Sequence, residues 1–334
     1  MTFDIIEAGI IRLIFGHTLN LVILFYSGCS ASNSLRFLVV GDWGGLPFFP
    51  YTTPAEVGTA YQMGQHAQKS KPDFILGLGD NFYFHGVQDV NDPRFKESFE
   101  NIYQDKSLHV PWYLIAGNHD HYGNVSAEII YSQYSQRWNF PDFYYPLSFK
   151  IPGSNASVDI LMLDTVQLCG NTEPDYEHSQ PKQPDNLQAS EQQWKWLEQA
   201  LQKSNATYLL VAGHFPVYSI AEHGPTQCLV DRLLPMLYQY KVTAYMCGHD
   251  HNLQVETKNN RTVNFFLSGA GNFIENNKSH ASDVPAGVSK FFWADVISFG
   301  GFGYVDISQS NMTYSFIEGN GKLLYNTTVS PRKL

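Results

Sequence analysis

Three things are scarce in this sequence, and each scarcity removes a class of function. Only 21 of the 334 residues are Lys or Arg against 31 Asp or Glu, so the formal net charge is −10, and no Lys/Arg-rich run occurs. A chain charged in this way is not a nucleic-acid binder as a whole. Long apolar runs are missing too: residues 19–28, Leu-Asn-Leu-Val-Ile-Leu-Phe-Tyr-Ser-Gly, are too short to span a bilayer as a helix. Neither an internal repeat nor a linker-bounded second domain is visible. What remains is 43% hydrophobic, 15% aromatic and 16% charged, the composition of a globular chain long enough to bury a substantial core.

The short N-terminal run has signal-peptide length, and the small residues Cys29-Ser30-Ala31 after it suit cleavage. Residues 1–31 are therefore expected to be a secretory signal. Asp4 and Glu7 are atypical of its first region, so a retained anchor stands as the other reading. Downstream lie seven Asn-x-Ser/Thr sequons, at Asn124, Asn155, Asn205, Asn260, Asn277, Asn311 and Asn326. That density fits a chain that meets the glycosylation machinery, so N-glycans and a lysosomal or secreted destination are expected. Of the cysteines, Cys169 and Cys228 lie in polar, loop-like stretches, while Cys247 ends an apolar run. In an oxidising compartment the loop pair suits a disulfide and Cys247 a buried thiol, although the odd count leaves a reactive thiol open.

Five segments share one plan, an apolar run of strand length followed by a Gly-led polar tip. Leu35–Val40 leads to Gly41-Asp42-Trp43-Gly44, and Asp73–Leu78 to Gly79-Asp80-Asn81-Phe82-Tyr83. Trp112–Ala116 leads to Gly117-Asn118-His119-Asp120, Tyr208–Ala212 to Gly213-His214-Phe215-Pro216, and Val242–Cys247 to Gly248-His249-Asp250-His251. Between tips there is chain for returning helices over 54–70, 92–106 and 190–203, the last with Trp194, Leu197 and Leu201 at helical spacing. Val158–Asp164 reads as a further buried strand. After residue 260, runs at 263–267, 303–308, 312–317 and 322–329 alternate as antiparallel strands. The pattern predicts an α/β fold of one domain, 35–330, with two packed sheets and helices outside. Residues 170–189, with three prolines and almost no aliphatic side chain, should form an exposed loop, either passive or a lid over the site.

Open α/β sheets bind ligands at the carboxyl ends of their strands. The groups collected there are Asp42, Asp80, Tyr83, Asn118, His119, His214, His249 and His251. Carboxylate, phenol, amide and imidazole donors without thiolate suit transition metals with hard or borderline ligands. One carboxylate shared between two cations roughly 3.5–4 Å apart would make a hydrolytic pair.

The five blocks, in this order, resemble the signature blocks of the purple acid phosphatases, which have the calcineurin-like metallophosphoesterase fold, an α/β/β/α sandwich of two mixed sheets. Flanking runs at 123–126 and 219–226 resemble the family's short form, and the resemblance covers nearly everything after residue 34. It implies a binuclear iron centre: Fe(III) held by Asp42, Asp80, Tyr83 and His251, and Fe(II), Zn(II) or Mn(II) held by Asp80, Asn118, His214 and His249. Tyr83 is the discriminating ligand, because phenolate bound to Fe(III) gives the family its colour. The resemblance also implies that His119 and His223 lie near the phosphate, His223 as proton donor to the leaving group with Glu222 beside it, and a metal-bound hydroxide as nucleophile. It matches Cys169 and Cys228 to the family's cysteine pair, and residues 170–189 to a repressive, protease-sensitive loop. Here Lys182 is that loop's one basic residue.

The expected activity is hydrolysis of phosphate monoesters, small molecules or phosphoproteins, at acidic pH, by a monomer with no nucleic-acid partner and no membrane attachment after signal cleavage. Two alternatives compete: a phosphodiesterase of the same fold, and a secreted glycoprotein that carries iron or binds a receptor.

Overall fold

The structure, a computed structural model, describes residues 33–172, 180–257 and 263–333. The expected signal segment with Cys29, the sequon at Asn260 and residues 173–179 of the proline-rich loop lie outside them.

Fourteen strands are present among the described residues. The first seven are β1 (Leu35–Val40), β2 (Phe74–Gly77), β3 (Trp112–Leu114), β4 (Trp138–Asn139), β5 (Tyr145–Lys150), β6 (Ser157–Met162) and β7 (Tyr208–Ala212). The others are β8 (Ala244–Cys247), β9 (Leu253–Thr257), β10 (Asn264–Ser268), β11 (Ser289–Trp293), β12 (Gly301–Ile307), β13 (Met312–Glu318) and β14 (Leu323–Val329). They form two seven-stranded mixed sheets, ordered β14-β13-β12-β1-β2-β3-β4 and β11-β9-β10-β8-β7-β6-β5. Helices flank them: α1 (Pro54–Ser70), α2 (Asn118–His121), α3 (Val125–Tyr131), α4 (Thr165–Cys169), α5 (Leu187–Lys203) and α6 (Leu234–Gln239).

The central strands are continuous apolar runs because both of their faces are covered. In β7, Tyr208, Leu210 and Ala212 enter the core that also holds β1 and β2, while Leu209 and Val211 enter the core under α5 with Trp194, Leu197 and Leu201. Burying one such aliphatic side chain contributes about 1.5–3 kcal/mol. Helix α1 starts where Thr53 accepts the Glu56 N–H and Pro54 takes the first turn, and it stops at Lys71 in the left-handed region. Helix α5 begins three residues before the expected Ser190, capped by Asn186, and Ser190 Oγ instead donates to Leu168 O at 2.9 Å.

The expected helix over 92–106 is reduced to a π-helical turn at Phe95–Glu100 and a 3-10 turn at Lys106–Leu108. Aromatic packing decides the shape of this stretch: Phe95 and Phe99 lie edge-on to Trp138 at 5.4 and 5.1 Å, and Tyr103 edge-on to Trp112 at 4.8 Å.

Strands β1, β2 and β3 run parallel, as do β7 and β8, so within each sheet the tips emerge on one edge. The backbone bond from Gly41 N–H to Ser268 O at 2.8 Å ties the two edges together, and Asp42 N–H to Gly79 O at 3.0 Å joins neighbouring tips of one sheet. Cys169 and Cys228 form a disulfide, and Cys247 is a buried free thiol.

Candidate metal centre

Each tip turns its polar residue inward through a glycine that has no room for a side chain. A Cβ on Gly117 would sit 2.1 Å from Asp80 Oδ1, and one on Gly248 2.3 Å from Asp42 Oδ2. The residues that follow carry the strain of the turn: Asp42, Asp80 and His249 have φ of 56°, 51° and 75°. Left-handed backbone at non-glycine residues persists only where the surroundings over-determine it, and it gathers at functional sites.

The donors meet in two groups. In one, Tyr83 Oη lies 3.2 Å from Asp42 Oδ1 and 3.0 Å from His251 Nε2, and His251 Nε2 lies 3.8 Å from Asp42 Oδ1. In the other, His214 Nε2 lies 2.9 Å from Asn118 Oδ1 and 3.4 Å from Asp80 Oδ1. The groups adjoin, because Asp42, Asp80 and His214 offer ligand atoms that all lie within 4.8 Å of one another. His249 donates its backbone N–H to the Asp42 carboxylate, and its ring lies 5.1 Å from that of His214. All but His251 are buried, and its side chain keeps 21% exposure.

Without a cation this arrangement is electrostatically frustrated. His214 Nδ1 faces the carbonyl of Leu78 at 2.8 Å, so Nδ1 must carry the proton. The Nε2 lone pair then confronts the oxygens of Asn118 and Asp80, an assembly of acceptors that a positive charge must occupy. A proton serves in the bare protein: burial opposes it, but Asp80 and Asp42 raise His214 to about 9. Burial pushes Asp42 upward, with His214 opposing and Asp80 reinforcing, whereas at Asp80 the charges of His214 and His119 overcome burial and pull the carboxyl down. Burial and neighbouring imidazoles hold His249 well below its ordinary range and His251 at about 3, so both present neutral nitrogen donors. Burial and the two carboxylates raise the Tyr83 phenol. Carboxylate, amide, imidazole and phenol donors gathered around a deficit of positive charge fit a metal pair.

The two further histidines flank this centre. The His119 ring has Nδ1 2.7 Å from Phe84 O, which directs Nε2 toward Asp80 Oδ2 at 3.9 Å. The His223 ring stacks on His249 at 4.1 Å between centroids, and the backbone N–H of His223 donates to Asp250 Oδ1 at 2.9 Å. Burial lowers the His223 pKa, with Asp250, Asp80 and Glu275 acting the other way. Both histidines line a cleft of about 620 Å³ together with Tyr83, Asn118, Glu222 and His251. Two residues of the 170–189 loop bond to residues that line the cleft, Asn171 Nδ2 donating to Asn118 O at 3.2 Å and Gln180 Nε2 to His223 O at 2.6 Å.

Sequence reasoning missed the layer behind the donors. Asp120 accepts the backbone N–H groups of Gly117 (2.8 Å), Asn81 (3.1 Å) and Phe82 (3.0 Å), joining two tips through one carboxylate. Asn81 donates to Glu128 and to Ile115 O, both at 2.9 Å. His121 meets Asp164 at 2.8 Å, and Asp164 in turn caps α4. Asp120 and Asp250 stand inside quoted blocks, and the capping spacing from Gly117 to Asp120 was the available signal for the first. Glu128 had none, since its partner Asn81 comes from a distant segment, and the capping spacing from Asp164 to Gln167 says nothing of its pairing with His121.

Comparison with known proteins agrees with this geometry. The calcineurin-like phosphoesterase family matches residues 35–253. The chain is 53% identical over 304 residues to tartrate-resistant acid phosphatase type 5 of Homo sapiens, covering 91% of this chain and 93% of that one. It is 34% identical to purple acid phosphatase 7 of Arabidopsis thaliana, covering 90% and 88%. Among solved structures, GAP50, the anchor in the inner membrane complex of Plasmodium, aligns with a TM-score of 0.75 at 23% identity over 90% of each chain, a likeness of fold alone. With glycine-led donors on two sheet edges and relatives of this closeness along nearly its whole length, the chain belongs to the calcineurin-like phosphoesterases and, among them, to the purple acid phosphatases.

Proposed function

We propose that the protein is an acid phosphatase that hydrolyses phosphate monoesters at a binuclear iron-containing centre in this cleft. Asp42, Asp80, Tyr83 and His251 would hold Fe(III), and Asp80, Asn118, His214 and His249 a divalent ion, Fe(II) or else Zn(II) or Mn(II). The observation that carries the reading is the convergence of His214 Nε2, Asn118 Oδ1 and Asp80 Oδ1 on a position where only positive charge is stable. When bound, the two cations would neutralise phosphate charge and lower the pKa of water, so that hydrolysis runs in acid.

The chain's own residues do the rest. Asn118, His119 and His223 line the cleft in which the ester would lie. A protonated His223 donates to the leaving oxygen, and its lowered pKa restricts the protonated form to acidic surroundings. The stack on His249 and the bond to Asp250 hold its ring and backbone in place. His119 orients the bound phosphate, its Nδ1 fixed by Phe84 O.

Residues 1–31 as a secretory signal and 35–330 as the catalytic domain of a secreted or lysosomal monomer complete the proposal. Exposure of Asn124, Asn155, Asn205, Asn311 and Asn326 supports glycan attachment, and no helix among the described residues is long and apolar enough to cross a membrane.

Metal analysis with a visible spectrum and an aryl phosphate assay tests the reading. Iron in each chain, a visible absorption band lost in Tyr83→Phe, and turnover that falls toward neutral pH are expected. A colourless protein holding two zinc ions would overturn the iron assignment, and no turnover of any monoester would overturn the activity.

A further inference from the structure

His223, unlike the metal donors at the strand tips, stands in the middle of a loop. Residues 219–226 contain no helix or strand of their own, so the segments around them must place this imidazole. One set of restraints holds the loop's N–H groups. Gln254 Oε1 accepts the Ile220 N–H at 3.1 Å, Ser219 Oγ the Ala221 N–H at 3.0 Å, and Asp250 Oδ1 the His223 N–H at 2.9 Å. The carbonyls of a buried loop need donors as well.

A second loop, residues 277–288, supplies such donors through one residue. His280 gives its backbone N–H to Ile220 O at 3.2 Å, and its ring Nδ1 lies 2.8 Å from Ala221 O, so Nδ1 carries the proton. Ser279 Oγ lies 3.1 Å from the same nitrogen, and Asp283 Oδ2 4.0 Å from Nε2. The ring also packs on Gly224, where an added Cβ would lie 2.6 Å from His280 Cγ and 2.7 Å from Cδ2. Contacts from a single side chain and its backbone thus fall on positions 220, 221 and 224, on both sides of His223 along the chain. The second loop has firm footing, because Val284 and Val288 are buried in the same apolar core as Ile220 and Leu229. Its own turns are closed by Ser279 N–H to Asn277 Oδ1 at 2.8 Å and Asp283 N–H to His280 O at 3.0 Å. His280 itself lies outside the lining of the cleft.

Building on the function proposed above, we propose that His280 is a positioning residue for proton transfer: its ring clamps Ala221 O and Gly224, and so fixes the loop that aims His223 at the leaving oxygen. A general acid acts only over hydrogen-bond distance, and about 1 Å of misplacement lowers the step it serves by about a hundredfold. The need for that proton grades with the leaving group. An alkoxide must be protonated as its bond to phosphorus breaks, whereas a nitrophenolate is stable enough to leave as the anion. Loss of aim therefore slows alkyl esters and spares activated aryl esters, while loss of metal or of fold slows both alike.

The test uses the metal-loaded full-length protein with glycerol phosphate as the alkyl ester and nitrophenyl phosphate as the activated one. His280→Ala should lower kcat on the alkyl ester by about ten- to a hundredfold and on the aryl ester by about twofold at most, with KM and inhibition by inorganic phosphate unchanged. Asparagine can place an amide donor where Nδ1 stands, and glutamine one where Nε2 stands. His280→Asn should therefore recover most of the alkyl turnover and His280→Gln should not, a comparison that stands even if the alanine variant fails to fold. Independently of turnover, hydrogen exchange at the Ile220, Ala221 and His223 amides should quicken by about tenfold in His280→Ala. His223→Ala serves as the standard, with a loss far larger on the alkyl than on the aryl ester. Equal losses on both esters in His280→Ala beside unequal losses in His223→Ala, or unchanged exchange at those amides, would overturn this inference and leave the proposed function intact. Equal losses in His223→Ala would remove the proton-donor role and this inference with it. Failure of the unsubstituted protein to hydrolyse either ester would overturn the proposed function instead, and the exchange rates would still decide whether His280 holds the loop.

Discussion

A single methyl group should disable this centre. In Gly117→Ala the backbone is not the obstacle, since Gly117 has φ −104° and ψ −174°, an extended conformation open to alanine. The obstacle is occupied space: the new Cβ would lie 2.1 Å from Asp80 Oδ1, 2.5 Å from Asp80 N and 2.8 Å from His214 Cε1. None of these atoms ends a flexible side chain. Asp80 Oδ1 accepts the His119 N–H at 3.0 Å, and the His214 ring is pinned by Leu78 O. Relief to an ordinary contact therefore moves the Asp80 carboxylate by about 1 Å, at a packing cost of about 1–3 kcal/mol. A displacement of that size at a reacting centre lowers turnover by about a hundredfold. The assay is kcat/KM on an aryl phosphate alongside metal content per chain and the thermal midpoint. The control is Gly287→Ala, where φ is +76° but nothing lies within 4 Å of the added atom. It should lose about 1 kcal/mol of stability and no turnover. Wild-type activity and metal content in a folded Gly117→Ala protein would refute the claim that the tip glycines exist to admit the donors.

The layer behind the donors gives a second expectation. Asp120→Ala strands three buried backbone N–H groups, which should cost about 3–6 kcal/mol in urea unfolding; Asp120→Asn, keeping one acceptor oxygen, should lose less. A third concerns pH and Glu256, which is buried at 1% exposure. Burial raises it from 4.5 to about 8, so the folded state holds the proton more tightly and wild-type stability falls as pH rises through that window. Glu256→Gln does not titrate, and by neutral pH it should be about 1–3 kcal/mol more stable than wild type, with no advantage below the unfolded pKa. An equal difference at both ends of the window would count against a buried neutral acid.

How much of this was legible in the sequence depended on how local the cause was. The apolar runs that become β1, β2, β3, β7 and β8 are buried on both faces, and their hydrophobic continuity says so without help from the rest of the chain. Asp42, Asp80, Asn118, His214 and His249 follow directly, because each stands at the end of such a run behind a glycine, and Tyr83 and His251 lie further along two of the same tips. Strands β4, β5, β9 and β11 were not foreseen. β4 is two residues long, and in β5 buried Tyr145 is followed by exposed or half-buried positions, so neither pattern outweighs its neighbours. The stretch 92–106 has helix formers, yet Phe95, Phe99 and Tyr103 are claimed by the tryptophans of β3 and β4. That tertiary demand overrode the propensity.

What could not be read was the support, and the reason is physical. A metal donor advertises itself by residue type, but Asp120, Glu128 and Asp164 act by accepting N–H groups or pairing with side chains brought from elsewhere in the chain. Their roles exist only once the tips have met. The same holds for the left-handed backbone at Asp42, Asp80 and His249. Asparagine and aspartate visit that region with modest cost, whereas histidine does so less readily, and nothing in the letters shows that position 249 must. Each such residue costs of order 1–3 kcal/mol, and each is held by a bond that reaches across the site. His249 N–H is bound by the Asp42 carboxylate, and the Asp42 N–H by Gly79 O. The strain at one tip is thus restrained by the next, and the donors keep their places only as a closed set. That mutual restraint is why a methyl on Gly117, which binds nothing itself, should be felt at Asp80 and His214 alike.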